Sequence, residues 1–338
     1  MNPILVEVYR GKVLESFHRG VVCIVDRDGK IIYQEGNVQQ VCYPRSALKF
    51  FQQIPFVSSG AAEAIGLTEE EIAVTCGSHN GEDQHVQVVD SILKKAGLDR
   101  SALKCGPQFP SHRKTANALI AAGKKPEAIH NNCSGKHAGF LAYSVYLGYA
   151  TDNYIDPNHP VQKEIRSLTS AFHDVPENQM EIALDGCSAP IYSIPVYNQA
   201  LAYMRLSHPD FGNESWRKAC KTLIQAARNH PMMIAGTGRY CTDLIATAEK
   251  ELIGKTGAEG IYSLSFHKKI IGATIKIDDG KMLPQYNVAQ KLVGKSGLFS
   301  AEELAQLHSY LCAPITNFNK WETGHIQVAD SILTKNWL

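Results

Sequence analysis

The sequence predicts a mixed α/β protein in which strands from the two ends of the chain form one antiparallel sheet, with helices from the middle packed on it. Three observations carry this. Apolar, β-branched runs lie near the N-terminus. Similar runs return after residue 260. The long stretch between them is dominated by helical spacing of apolar residues.

In order, Ile4 to Tyr9 alternates weakly, and Gly20 to Val25 is apolar and β-branched. Asp28-Gly29 then turns the chain into Ile31 to Tyr33, a hairpin signal. After Tyr43-Pro44 the pattern becomes helical. Thr68 with Glu71 is a capping-box signature, and the run Ile72 to Thr75 after it is short and β-like. Glu82 to Ala96 carries Val86, Val89, Ile92 and Leu93 at helical spacing and stops at Gly97. Further helices are expected over Thr115–Ala122, Lys136–Leu147, Pro160–Phe172, Val196–Leu206, Glu214–Asn229 and Asp243–Lys250. Asp152 to Pro160 reads as a loop. Gly260–Phe266 and Ile270–Ile277 read as strands, Asp279-Gly280 as a turn, and Ala301–Leu311 as a last helix. The chain reads as a single catalytic unit, 1–338, with a mainly helical subdomain inserted at about 60–250.

With 338 residues, 44% hydrophobic and 20% charged, the chain can bury a large core. A formal net charge of +1 leaves no electrostatic footprint for nucleic acid or an anionic membrane, so the expected partner is a small molecule. No signal peptide and no membrane span is visible, and a cytoplasmic location is expected. The nine cysteines are scattered, which fits reduced, mostly buried thiols.

Arg45-Ser46-Ala47-Leu48-Lys49 follows a proline that can start a helix, so Ser46 and Lys49 share a face. A neutral lysine can take a serine proton if burial or neighbouring positive charge lowers its pKa. The alternative is a serine at a helix start and a solvated lysine. Cys76-Gly77-Ser78-His79-Asn80-Gly81 ends the β-like run in small residues, and this is expected to expose Ser78 before a helix. The alternative is that Ser78 or Asn80 only caps that helix. Lys255-Thr256-Gly257 precedes the strand from Gly260. Ser-x-x-Lys, Ser-x-Asn and Lys-Thr-Gly occur in the order found in penicillin-recognising serine enzymes, with a long segment between the second and third. That segment holds Cys133 and Cys187 in turn contexts, with Lys136 and His137 nearby. Two thiolates and a nitrogen suit Zn²⁺, with His137 as the ordinary choice of third ligand. Two loop cysteines without a metal are the alternative.

Taken together, Tyr43 to Lys49, Cys76 to Gly81, Asn131 to Gly139, Asp185 to Pro190 and Lys255 to Gly260 resemble the Rhizobium etli-type, or class 3, L-asparaginases. The resemblance covers nearly the whole chain but places no motif from Cys312 onward. It implies hydrolysis of L-asparagine to L-aspartate and ammonia, a fold related to serine β-lactamases and glutaminases, and a homodimer. It implies two Ser-Lys pairs, Ser46 with Lys49 and Ser78 with Lys255. It implies a zinc ion on Cys133, Lys136 and Cys187, which moves His137 beside the metal or to the substrate side. For the α-ammonium and α-carboxylate of asparagine, Asp185 and Arg45 are the natural partners.

The expected chemistry is acyl transfer from the side-chain amide to Ser46, with Lys49 as base. The rival readings are a glutaminase or penicillin-recognising hydrolase, an amidase using zinc-bound water, and a non-catalytic zinc-stabilised amino-acid-binding protein.

Overall fold

A computed structural model describes residues 1–248, 251–334 and 336–337. It divides into two compact units. Unit 1 comprises Met1–Ala47, Ile194–Ser207 and Thr247–Leu338, and unit 2 comprises Leu48–Ser193 and His208–Ala246. The main strands in chain order are β1 (Ile4–Arg10), β2 (Val13–Val25), β3 (Ile31–Glu35), β4 (Leu252–Gly257), β5 (Ile261–Phe266), β6 (Ile271–Ile277), β7 (Ala313–Thr316) and β8 (Glu322–Val328). The longer helices are α1 (Lys49–Ser58), α2 (Glu69–Thr75), α3 (Asp83–Lys95), α4 (Arg113–Ala121), α5 (Ser134–Tyr146), α6 (Pro160–His173), α7 (Val196–Ser207), α8 (Glu214–Asn229), α9 (Tyr240–Thr247) and α10 (Met282–Gly294).

In unit 1 the terminal strands meet as expected. The antiparallel sheet runs β7-β8-β1-β2-β6-β5-β4, with β3 also on β2. β1 pairs with β8 from Val6↔Val328 to Arg10↔Gly324. β2 serves two neighbourhoods: Val13–Arg19 pairs with β1, and Gly20–Val25 pairs with β6. Gly20 marks the changeover. A Cβ there would lie 2.2 Å from the Lys276 carbonyl oxygen, so no side chain fits. Val196, Ala200, Leu201 and Met204 of α7 pack on Val21, Cys23, Val25 and Ile261 of the sheet. Each such aliphatic side chain contributes about 1.5–3 kcal/mol when fully buried. Gly272 of β6 lets the backbone of α7 lie directly on the sheet, since a Cβ there would be 2.0 Å from the Ala200 oxygen.

Unit 2 is helical. Residues Lys49 to Phe56 of α1 are all buried, which marks α1 as its central helix. Phe51 meets Phe172 and His173 of α6 at 5.5 and 4.7 Å between ring centroids. The capping box of α2 is closed: Thr68 N–H donates to Glu71 Oε2 at 2.7 Å, and Glu71 N–H to Thr68 Oγ1 at 3.2 Å. Gly135 and Gly139, one turn apart on α5, permit close crossings. A Cβ would stand 2.2 Å from the Val74 oxygen at the first and 2.3 Å from Gln53 Oε1 at the second. These crossings set the position of Lys136 and His137 between them.

Several expectations are corrected. β2 starts at Val13, not Gly20, because β1 supplies a ladder partner to a segment whose own residues are largely exposed. The β-like run Ile72–Thr75 is the end of α2, where the capping box prevails over β-propensity. The helix expected over Ala301–Leu311 is broken at the buried Leu307 into Ala301–Gln306 and His308–Leu311. Lys255-Thr256-Gly257 lies on a strand of its own, β4, paired to β5. The helix expected over Asp243–Lys250 starts earlier, at Tyr240, and its residues 249–250 lie outside the described residues. No described helix is long and apolar enough to cross a membrane. All nine cysteines are free thiols, and all but Cys312 are buried.

Candidate active site

In unit 1 the Ser-x-x-Lys segment begins on a 3₁₀ turn, Arg45–Leu48, behind Pro44. Arg45 has φ +54°, a left-handed conformation that costs a non-glycine residue about 1–2 kcal/mol and that concentrates at functional sites. Two clamps hold the turn. Tyr203 O–H of α7 donates to the Ala47 oxygen at 2.8 Å. The Pro44 oxygen lies so close to Gly257 of β4 that a Cβ there would stand 2.3 Å away. The motif Lys255-Thr256-Gly257 therefore ends in a glycine because the serine-bearing turn rests against it. Lys255 is fully buried, and its Nζ donates to the Thr256 oxygen at 2.9 Å. Thr256 Oγ1 accepts from Gln285 Nε2 at 2.7 Å. Arg45 and Ser46 are half-buried.

The 3₁₀ turn runs directly into α1, whose first residue is Lys49. In unit 2, Lys49 is 1% exposed, which removes the solvated alternative. Its Nζ contacts the Gly77 oxygen, the Asn132 oxygen at 3.2 Å and Ser78 Oγ at 3.1 Å. Two of these acceptors are carbonyls. The third is a hydroxyl, which accepts from an ammonium and donates to a neutral amine. The contact therefore suits Lys49 both as a cation and as a base.

Ser78 is buried, not exposed as expected, because its loop is covered by the segment Met233–Ile234. Ser78 N–H donates to the Ile234 oxygen at 2.8 Å, and a Cβ on Gly77 would be 2.2 Å from the Met233 oxygen. Neither Ser78 nor Asn80 caps α3, whose cap is Glu82 with His85. Asn80 instead ties the loop to its surroundings, accepting from Arg239 at 2.8 Å and Ser111 at 3.0 Å and donating to the Thr237 oxygen at 3.0 Å. His79 is wholly buried. Gly81 N–H donates to its Nδ1 at 3.1 Å, which leaves Nε2–H to donate to Ser134 Oγ at 3.0 Å. Burial, then the charges of His85 and Lys49, hold its pKa well below the usual histidine range.

Cys133 precedes α5, and Lys136 and His137 lie in its first turn. Cys187 comes from the tight loop after a short strand, Ile182–Leu184, that pairs with Pro190–Tyr192. Ser188 closes that loop at φ +68°, with Ser188 N–H donating to the Asp185 oxygen at 2.8 Å. The donor atoms of Cys133, Asp185 and Cys187 all lie within 4.8 Å of one another. Lys136 Nζ is 3.1 Å from Cys187 Sγ. Two sulfurs, an amine and a carboxylate oxygen thus converge on one point, which fits a tetrahedral Zn²⁺ bound by Cys133, Lys136 and Cys187. The electrostatics favour one thiolate in the pair, on Cys133, because the bond between the two sulfurs and then burial raise Cys187. The hydrogen bond from Cys187, with Lys49 and Lys136 nearby, holds Cys133 well below the usual thiol range. Burial opposes the charge on Lys136, but Cys187 and Cys133 outweigh it and raise its pKa.

His137 is fully buried, with Nδ1 2.6 Å from Tyr154 O–H. Asp185 is half-buried, and its Oδ1 accepts from Gly186 N–H at 2.8 Å. Unit 2 therefore brings together Lys49 and Ser78 in one group, and Cys133, Lys136, Asp185 and Cys187 in another. Arg45, Ser46 and Lys255 belong to unit 1. Sequence reasoning passed over the Asn132 carbonyl and Tyr154. The second had a signal, a lone aromatic in the Asp/Asn/Pro-rich loop of residues 152–160.

A family model for L-asparaginase II matches residues 6–328. The chain belongs to the L-asparaginase II family. Membership makes it a hydrolase, and the Ser-x-x-Lys, Cys133–Lys136 and Cys187 segments all fall inside the matched span. No curated sequence matches the chain. Among solved structures, this family member is similar to a β-lactamase from Mycobacterium bovis, at 11% identity over 86% of this chain and 95% of that one, with a TM-score of 0.40. It is similar to a Bacillus glutaminase at 12% identity over 82% and 91%, TM-score 0.37. It is also similar to a class C β-lactamase from Rhodobacter sphaeroides at 12% identity over 86% and 93%, TM-score 0.37.

Proposed function

We propose that this protein hydrolyses L-asparagine to L-aspartate and ammonia through a serine ester. The observation that carries the reading is Lys49. It is buried, it follows Ser46 by three residues on a helical turn, and its Nζ lies 3.1 Å from Ser78 Oγ. A lysine so placed can exchange a proton with a serine.

In the reaction, the neutral Lys49 amine takes the hydroxyl proton of Ser46, and the freed oxygen attacks the side-chain amide carbon. Backbone N–H groups beside Ser46 or on β4 stabilise the tetrahedral oxyanion, each donor being worth about 3–4 kcal/mol of barrier. The C–N bond breaks, the nitrogen takes a proton and leaves as ammonia, and water then cleaves the β-aspartyl ester. Ser78 and Lys255 relay protons. Arg45 pairs with the α-carboxylate, Asp185 with the α-ammonium, and His137 lies on the substrate side. Zn²⁺ on Cys133, Lys136 and Cys187 would supply charge that keeps both thiols ionised and joins α5 to the 185–190 loop. We further read the enzyme as a homodimer, which the resemblance implies, and as cytoplasmic.

A coupled ammonia assay on Ser46→Ala and Ser78→Ala tests the reading. Wild-type turnover by Ser46→Ala removes Ser46 as the nucleophile and passes the role to Ser78. Absence of ammonia release by the wild-type protein overturns the reading, in favour of a glutaminase if glutamine is turned over and of a penicillin-recognising enzyme if nitrocefin is.

A further inference from the structure

Tyr154 lies in the loop ahead of α6 and is fully buried. Its main-chain oxygen accepts from the buried Gln162 side chain at 2.9 Å, so the residue is anchored from behind. At its hydroxyl, Lys104 N–H arrives as a donor at 2.8 Å, and His137 Nδ1 stands 2.6 Å away. The two rings meet edge to face, with centroids 5.5 Å apart and planes at 84°. His137 Nε2 is buried and has no hydrogen-bond partner among the described residues.

Hydrogen-bond accounting fixes where the protons are. A backbone N–H can only donate, so the Lys104 bond uses a lone pair of the tyrosine oxygen. If His137 carried its proton on Nδ1, both bonds at that oxygen would be accepted ones. The tyrosine proton would then have no acceptor, and Nε2 would be a second orphan. If Tyr154 donates to Nδ1 instead, only Nε2–H is left over. Both arrangements make two bonds, but the second leaves one fewer buried group unsatisfied.

We propose that Tyr154 is a positioning residue that holds His137 in its Nε2–H tautomer, so that the imidazole presents a fixed neutral donor to an oxygen of the bound amino acid. The orphan is then a donor awaiting its acceptor, carried on the same helical turn as Lys136. Asparagine and aspartate offer only oxygens as acceptors, so a donor is the useful tautomer. The identity of the ligand rests on the proposed reaction; the tautomer does not.

The test uses the full chain labelled with ¹⁵N-histidine, with His137 assigned by its absence from His137→Gln. Long-range ¹H–¹⁵N correlation is expected to show the Nε2–H pattern in the wild type and a shift of the His137 Nε2 signal on saturation with L-aspartate. Tyr154→Phe keeps the ring and is expected to admit the Nδ1–H tautomer and to raise KM about tenfold more than it lowers kcat. His137→Gln, whose amide N–H can stand near the Nε2 position, is expected to retain most of the affinity that His137→Leu loses. An Nδ1–H pattern in the wild type, or no response to L-aspartate, overturns the inference. So does a folded Tyr154→Phe protein with wild-type tautomer and KM. If Tyr154→Phe does not fold, the wild-type spectra and the Gln/Leu pair decide. The expected spectra from a protein that releases no ammonia would keep this inference and remove the proposed reaction.

Discussion

Lys49 Nζ, at the start of α1, lies 3.1 Å from Ser78 Oγ in the loop between α2 and α3, 29 positions away in sequence. The same nitrogen is held by two backbone carbonyls, Gly77 and Asn132. Replacing Lys49 by Met keeps the bulk but strips the Gly77 carbonyl of this donor, at about 1–3 kcal/mol, while the Asn132 carbonyl keeps its bond from His79 N–H at 3.2 Å. Lys49→Met is therefore expected to abolish ammonia release and to lower the urea midpoint, whereas Lys49→Arg should recover stability before activity.

The thiol cluster makes a separate prediction about metal. Purified protein is expected to hold one Zn²⁺ per chain by elemental analysis. Cys133→Ser and Cys187→Ser are each expected to lose it, and chelation should lower the wild-type melting temperature but not that of either variant. Equal metal content in all three proteins would remove the assignment.

Stability should fall on acidification through the buried histidines. His79 is held well below the usual histidine range by burial and then by the charges of His85 and Lys49. Burial lowers His85 as well, against the bond its ring makes to the Met232 oxygen. A histidine with a depressed folded pKa binds fewer protons than the unfolded chain. Its contribution is thus complete above the unfolded value, about 6.5, and is lost as pH falls below it, at up to about 1.4 kcal/mol per pH unit for each histidine. Denaturant midpoints measured from pH 7.5 down to 5 should show that slope. His79→Asn, which keeps an acceptor for Gly81 N–H, should flatten it.

Two glycines on helices should respond in opposite directions. At Gly135 a Cβ would collide with the Val74 backbone, so Gly135→Ala is expected to destabilise by about 1–3 kcal/mol. At Gly294 the nearest atom would be 4.0 Å away, so Gly294→Ala is expected to stabilise by about 0.5–1 kcal/mol. Thermal melts of both variants check the pair.

Legibility in the sequence followed the range of the interactions. The capping box of Thr68 and Glu71 and the helix Glu214–Asn229 were readable because their determinants lie within a few residues. Strands β4, β7 and β8 were not readable. β8, for instance, is held by β1, more than 300 residues away in sequence, and its own residues show little alternation. Ser78 was expected at the surface because nothing near it in sequence announces the Met233–Ile234 segment that covers it.

The sequence by itself determined the chemical inventory: a serine and a lysine three apart, a second serine in a glycine-rich loop, two cysteines in turns, and a Lys-Thr-Gly segment. It also determined most helices, since 3.6-residue periodicity and caps are local properties. Only the tertiary structure decided which groups meet. It set Lys49 against Ser78, Cys187 against Lys136, and Tyr154 against His137. Those pairings come from packing of separate elements and from the need to satisfy each buried donor and acceptor, and neither is written in the spacing of residues along the chain.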